Sequence, residues 1–170
     1  MNTPELITLL ANLALTLSFI VALIFGIAQV KAANRDRRER LTLETLRNFQ
    51  TREFAELLHH IAITKMPATL KEWLASPVDD RIKYIQFGQE MESVGLLLAE
   101  RLINIDLVDK TLGSFVITAW EKYKPVFLDM REKNPDPFLG EYFQWMAEQM
   151  NERMKKNLRK PFFEENKVAL

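Results

Sequence analysis

Residues 6–30 read Leu6-Ile-Thr-Leu-Leu-Ala-Asn-Leu-Ala-Leu-Thr-Leu-Ser-Phe-Ile-Val-Ala-Leu-Ile-Phe-Gly-Ile-Ala-Gln-Val30, twenty-five positions without a charged side chain. At 1.5 Å rise per residue such a helix is about 37 Å long, against a hydrocarbon core of about 30 Å. The stretch therefore predicts a transmembrane helix that spans with some tilt. A cleaved signal peptide fits less well. The apolar run exceeds an ordinary h-region, and no basic side chain precedes it.

Immediately after the run come Lys31, Arg35, Arg37, Arg38 and Arg40, five cations in ten residues. The other flank carries only Glu5. Cationic flanks stay on the cytoplasmic side, so the expected topology is single-pass, N-terminus out and the remainder in the cytoplasm, with a bacterial inner membrane as the preferred setting. The same five residues are candidate contacts for anionic lipid headgroups, although orientation alone accounts for them. Within the span, Ala14, Ser18, Ala22 and Gly26 recur every four residues. They form a narrow small-residue stripe where a second backbone can approach. Thr8, Asn12 and Thr16 add polar groups for bonds between helices. The stripe is a candidate helix–helix contact.

Outward from the anchor the pattern stays helical. Residues 31–64 contain neither Pro nor Gly, and Leu43, Leu46, Phe49, Phe54, Leu57, Leu58 and Ile61 recur at helical spacing. One amphipathic helix is expected there, continuing from the span to Met66-Pro67, with a short helix around 69–75. Ser76, Pro77 and Asp79 predict the start of another helix, capped by Ser76. It should run to about Leu102 with Val78, Ile82, Ile85, Met91, Val94, Leu98 and Leu102 facing the core. Gly88 and Gly95 inside it point to close packing of a neighbouring helix. Asp106 is the next expected cap, ahead of Leu107, Leu112, Phe115, Val116, Ala119, Trp120 and Tyr123, with a kink or restart at Pro125. Asn134-Pro135-Asp136-Pro137 is a break. Asp136 and Pro137 should then start a last helix reaching about Lys160, with Leu139, Phe143, Met146, Met150, Met154 and Leu158 along one side.

The expected fold class is thus all-α: one N-terminal transmembrane helix followed by a small bundle of about four helices. The division expected is 1–30 anchor, 31–65 basic juxtamembrane segment and long helix, 66–160 helical domain, and 161–170 tail.

The 170 residues carry no net charge, with 23 Lys/Arg against 23 Asp/Glu. The balance is uneven: residues 41–150 hold twelve Lys/Arg and seventeen Asp/Glu. This acidic domain argues against a nucleic-acid partner. There is no cysteine, which excludes disulfides, thiolate metal sites and thiol nucleophiles. The five glycines build no phosphate loop. His59 and His60 are adjacent and diverge by about 100° on a helix, so chelation would require Asp79 or Glu90 brought in by folding. The pairs Asp79-Asp80, Glu90 with Glu92, and Glu164-Glu165 read as solvated faces. Arg153, Lys155, Lys156, Arg159 and Lys160 precede Phe162 and Phe163, a combination that suits either a membrane interface or a helix end. No cofactor, metal or catalytic residue is expected, and the chain reads as a non-enzyme. An enzyme assembled from dispersed groups such as Glu92 and Arg131 is the weaker alternative.

A further set of residues carries a resemblance. It comprises Phe87-x-x-x-Met91-Glu92-Ser93-Val94-Gly95-Leu96-Leu97, Ile103-Asn104-Ile105-Asp106-Leu107-Val108, Phe115, Trp120-Glu121, Pro125, Arg131 and Tyr142-Phe143-x-Trp145-Met146. In these, about residues 5–150 resemble the domain-of-unknown-function family numbered about 4760. The resemblance implies a membrane helix followed by a helical cytoplasmic domain, and it implies no activity. Leu102 departs from it, standing where glycine is expected. Phe87, Val94, Phe115, Trp120 and Phe143 should then be core residues.

Function follows only coarsely. A membrane-anchored helical interaction module binding a protein partner is expected; a membrane oligomer, signalling or pore-like, is the alternative.

Overall fold

The computed structural model describes residues 2–133 and 136–156. Six helices follow in order: α1 (Thr3–Asn48), α2 (Arg52–Ile63), α3 (Leu70–Ala75), α4 (Val78–Ala99), α5 (Ile105–Lys133) and α6 (Glu141–Lys156). No strand occurs among the described residues. The chain forms two compact units, Met1–Arg40 and Leu41–Leu170.

The first unit is a single length of helix. Every residue from Asn2 to Arg38 is exposed, including fifteen large apolar side chains between Leu6 and Val30. It is long and apolar enough to cross a membrane.

In the second unit α6 packs against both α4 and α5, while α2 lies on α4 and α3 on α5. Among the described residues five helices follow α1, rather than about four, and the centre of the domain is the three-helix packing of α4, α5 and α6. Aromatic rings fill that centre. Phe87 lies 5.7 Å from Tyr123 and 6.4 Å from Phe143, and Trp120 meets Phe143 at 5.2 Å. Such edge and offset contacts add to the burial of large apolar area. The Tyr123 hydroxyl donates to the Tyr84 carbonyl at 2.9 Å, so its one polar atom is satisfied inside the core. Burial drives the Tyr123 phenol far above its ordinary value.

The long helix expected over 31–64 is two helices. Phe49 and Gln50 N–H groups donate to Leu46 and Arg47 carbonyls, tightening and ending α1. Thr51 then caps α2, its hydroxyl accepting from Phe54 N–H at 3.1 Å. The Phe49 and Phe54 rings meet edge to face at 4.7 Å, and Phe54 stacks on Phe87 at 6.0 Å. The turn is made by a cap and aromatic packing, so no Gly or Pro marks it. Thr42, although on α1, accepts from the Asn104 N–H at 2.8 Å and is wholly buried.

Four other helix ends differ from expectation, and one of them is the start of the last helix, expected at Asp136 and Pro137 and found at Glu141 after a turn over 137–140. Ser76 closes α3, its hydroxyl donating to the Glu72 carbonyl, while α4 begins after Pro77 without a side-chain cap. Asp79 and Asp80 still place negative charge at its N-terminus. At the start of α5 the capping oxygen is that of Asn104, which accepts from Asp106 N–H; Asp106 itself pairs with Arg153. Helix α5 continues through Pro125 unbroken. The carbonyl that loses its partner is that of Glu121, and both residues are exposed, so solvent can reach it. The left-handed residue at the end of α4 is Arg101 (φ 57°), one place before Leu102. Arg101 N–H donates to Leu98 O and Leu102 N–H to Leu97 O, a Schellman closure.

The inward face of α4 is also not the one expected. Met91, Val94 and Leu98 are buried, but Tyr84, Phe87, Gly88 and Gly95 complete that face. Val78, Ile82 and Ile85 are 59%, 56% and 48% exposed, and Leu102 is exposed with them. Helix α4 is apolar on two opposed sides, and a 3.6-residue period cannot tell which side a domain will cover. Phe115 and Met154 are likewise half exposed, not core. Leu158 and the segment 157–170, with its basic and aromatic residues and Glu164-Glu165, lie outside the described residues, as do Asn134 and Pro135.

Candidate functional site

The four small residues Ala14, Ser18, Ala22 and Gly26 all lie exposed on α1. A Cβ built on Gly26 meets nothing within 4 Å. Ala22 and Gly26 leave a shallow depression bordered by Leu23, Ile27, Val30 and Lys31. Thr8 and Thr16 donate their hydroxyl hydrogens to the carbonyls of Pro4 and Asn12, one turn back. That engages both hydroxyls within the helix and leaves Asn12, Ser18 and Gln29 as the other polar side chains of the run. Of the basic residues, Arg35 is held by Glu39 at 2.8 Å, and Lys31, Arg37, Arg38 and Arg40 are exposed on the same length of helix.

In the helical domain the charged residues singled out for chemistry act as braces. Glu92, on α4, accepts from the N–H groups of Tyr142 and Phe143 at 3.2 and 2.8 Å. Those are free donors of the first turn of α6, so a carboxylate from another helix caps it and meets the positive end of its dipole. Beside it Gly95 brings α4 onto the backbone of Tyr142: a Cβ there would overlap the Tyr142 carbonyl, with its carbon at 2.6 Å. Gly88 is different, since a Cβ would sit at 3.6–3.7 Å from the Phe127 and Tyr123 rings, ordinary contact. Arg131 donates to the Leu139 carbonyl at 2.8 Å and to Gln144 Oε1 at 2.6 Å, fixing the approach to α6. Glu92 and Arg131 are therefore committed to the α4–α6 and α5–α6 junctions.

His59 is exposed, and His60 lies with its Nε2 3.3 Å from Asp80 Oδ1 and its ring 5.8 Å from Tyr84. Asp79 and Glu90 do not join them, and no group of three His, Asp or Glu among the described residues could hold a metal. Burial, then the nearby Asp80 charge, raises the Tyr84 phenol. Asp129 accepts from the Leu70 N–H at 2.7 Å, capping the start of α3, and from Lys133 at 2.6 Å. The Leu70 bond and then Lys133 hold its carboxyl below the ordinary value. Lys122 donates to the Ile61 and Ala62 carbonyls at the end of α2.

Between α3, α4, α5 and the turn before α6 lies a cavity of about 250 Å³. Its walls include Trp73, Tyr84, Ile85, Phe127, Met130 and Leu139, with Gln89 and Glu92 as its polar residues. Sequence reading missed it, because its lining comes from four separate segments. The Glu92 brace had a readable signal: Gly88 and Gly95 stand four before and three after it, placing all three on one side of α4.

Fold and site together define a class: an all-helical protein in which one N-terminal helix, long and apolar enough to cross a membrane, precedes a compact helical domain. The chain belongs to the family described as Domain of unknown function (DUF4760), which matches residues 16–150. No curated protein and no solved structure matched it.

Proposed function

We propose that the chain is a single-pass, membrane-anchored interaction module of the bacterial inner membrane, N-terminus out, whose helical domain meets a protein partner in the cytoplasm without catalysing a reaction. The observation that carries the reading is the exposed run Leu6–Val30. Burying one large apolar side chain contributes about 1.5–3 kcal/mol. Fifteen of them left in water is a larger unfavourable term than the ~5–15 kcal/mol stability of a domain. A bilayer removes it, and Lys31–Arg40 sets the direction. The partner reading is supported by the exposed apolar side of α4 at Val78, Ile82, Ile85 and Leu96. It is also supported by the commitment of Glu92 and Arg131 to helix junctions.

The cysteine-free chain makes topology direct to measure. In intact cells a membrane-impermeant maleimide should label Thr3→Cys, and should reach Lys65→Cys only after permeabilisation. The reverse pattern overturns the orientation. Release of the protein by alkaline carbonate overturns the anchor. Proximity labelling that retrieves nothing above an Ile82→Asp, Ile85→Asp control would remove the partner reading.

A second reading, a membrane oligomer of signalling or pore-like kind, is supported by the depression at Ala22 and Gly26. Ser18→Leu with Ala22→Leu should then abolish crosslinked oligomer, and unchanged crosslinking would exclude the stripe as the contact.

A further inference from the structure

The α3–α4–α5 cavity has a property that ordinary packing does not explain. Helical cores close around their voids, and those larger than a water molecule are few. Here each wall is held by a contact that does not depend on the cavity being filled. Gly140 has a left-handed backbone (φ 71°) and packs directly on the Phe127 ring, where a Cβ would overlap it. Tyr84 lies between His60 and Trp73, with ring centroids at 5.8 and 5.5 Å, and its carbonyl receives the Tyr123 hydroxyl. Glu92 is pinned by two N–H groups of α6. Braced walls prevent collapse, and a preformed apolar cavity is what small-molecule sites present.

The polar inventory narrows the ligand. Both Glu92 oxygens are already engaged by α6, which leaves the Gln89 amide, exposed at the mouth, with the Trp73 indole N–H and the Tyr84 hydroxyl as the other polar groups of the lining. The Glu92 charge opposes an anion. Rings on Trp73, Tyr84 and Phe127 offer aromatic faces, and Met130 a side chain that adapts to a ring edge.

We propose that this cavity binds a small, uncharged, mainly apolar molecule of one or two fused rings, with a single polar atom directed to Gln89. The proposal goes beyond the interaction reading and does not depend on where α1 sits.

Indole is the probe, titrated into the full-length protein in lipid nanodiscs with methyl-labelled Ile85, Met130 and Met150. Ile85 and Met130 methyl signals should shift and saturate. Met150, buried between α5 and α6 and not part of the lining, should stay in place. Ile85→Trp, at a half-exposed position on the mouth, should weaken binding at least tenfold without lowering the melting temperature. If that variant fails to fold, Gln89→Leu should weaken indole while leaving naphthalene, which lacks the polar atom, unchanged. Shifts that never saturate, that move Met150 equally, or that survive both substitutions overturn the site.

Discussion

Gly88 and Gly95 lie two turns apart on one side of α4, and the structure predicts that the same substitution has opposite signs at them. Replacing a helical glycine by alanine gains about 1 kcal/mol from backbone entropy. At Gly88 the new methyl meets only the Phe127 and Tyr123 rings at 3.6–3.7 Å, so most of that gain is kept. At Gly95 the methyl runs into the Tyr142 backbone, with the carbonyl carbon at 2.6 Å. Backbone cannot rotate aside as a flexible side chain does, so α6 must move off α4. Overpacking of this kind costs about 1–3 kcal/mol, and the movement stretches the two bonds from Tyr142 and Phe143 to Glu92, each charge-assisted bond being worth about 1.5–3 kcal/mol. The net expectation is Gly88→Ala stabilised by about 0.5–1 kcal/mol and Gly95→Ala destabilised by about 1–3 kcal/mol. For a domain of this size 1 kcal/mol moves the midpoint by about 3–6 °C, so the two variants should melt about 10 °C apart. Circular dichroism of the full-length protein in mild detergent reads this directly. A shift of both variants in the same direction would refute the account of the α4–α6 contact.

Three further outcomes are expected. Arg101→Gly should raise stability by about 1 kcal/mol, because the left-handed backbone at φ 57° penalises any side chain with a Cβ; an unchanged melting temperature would show that the turn relaxes at no cost. Glu92→Ala should lower stability by about 2–4 kcal/mol through loss of the charged cap on α6, and amide exchange should show α6 opening first. Asp129 has a depressed carboxyl, so it contributes stability above its unfolded value near 3.8, and that contribution disappears as pH falls through its lower folded value. Asp129→Asn should therefore melt earlier than wild type at pH 7, and the gap should begin to narrow below about pH 4 and close once pH is under the lowered folded value.

Local patterns carried much of this architecture. The uncharged run, the cations behind it, the short helix ahead of Ser76 and the burial of Met91, Val94, Trp120, Phe143 and Met146 were all legible. Each depends on neighbours within a few residues: run length, flanking charge, or helical spacing. The family was legible too, from spaced aromatic and apolar residues. The errors share a cause. The break at Phe49–Thr51 is made by Phe54 reaching Phe87, and the outward turn of Val78, Ile82 and Ile85 follows from which side of α4 meets α5 and α6.

What the sequence determined alone is the division into an apolar helix with a basic end and an acidic helical domain, since hydropathy and charge add along the chain without reference to folding. Tertiary structure decided the rest. It made Glu92 a cap for a helix fifty residues away, separated Gly95 from Gly88 in role, and opened the cavity bounded by Trp73, Tyr84, Phe127 and Leu139. Those features are set by which helix faces meet, and a helix such as α4, apolar on both sides, leaves that choice to its neighbours.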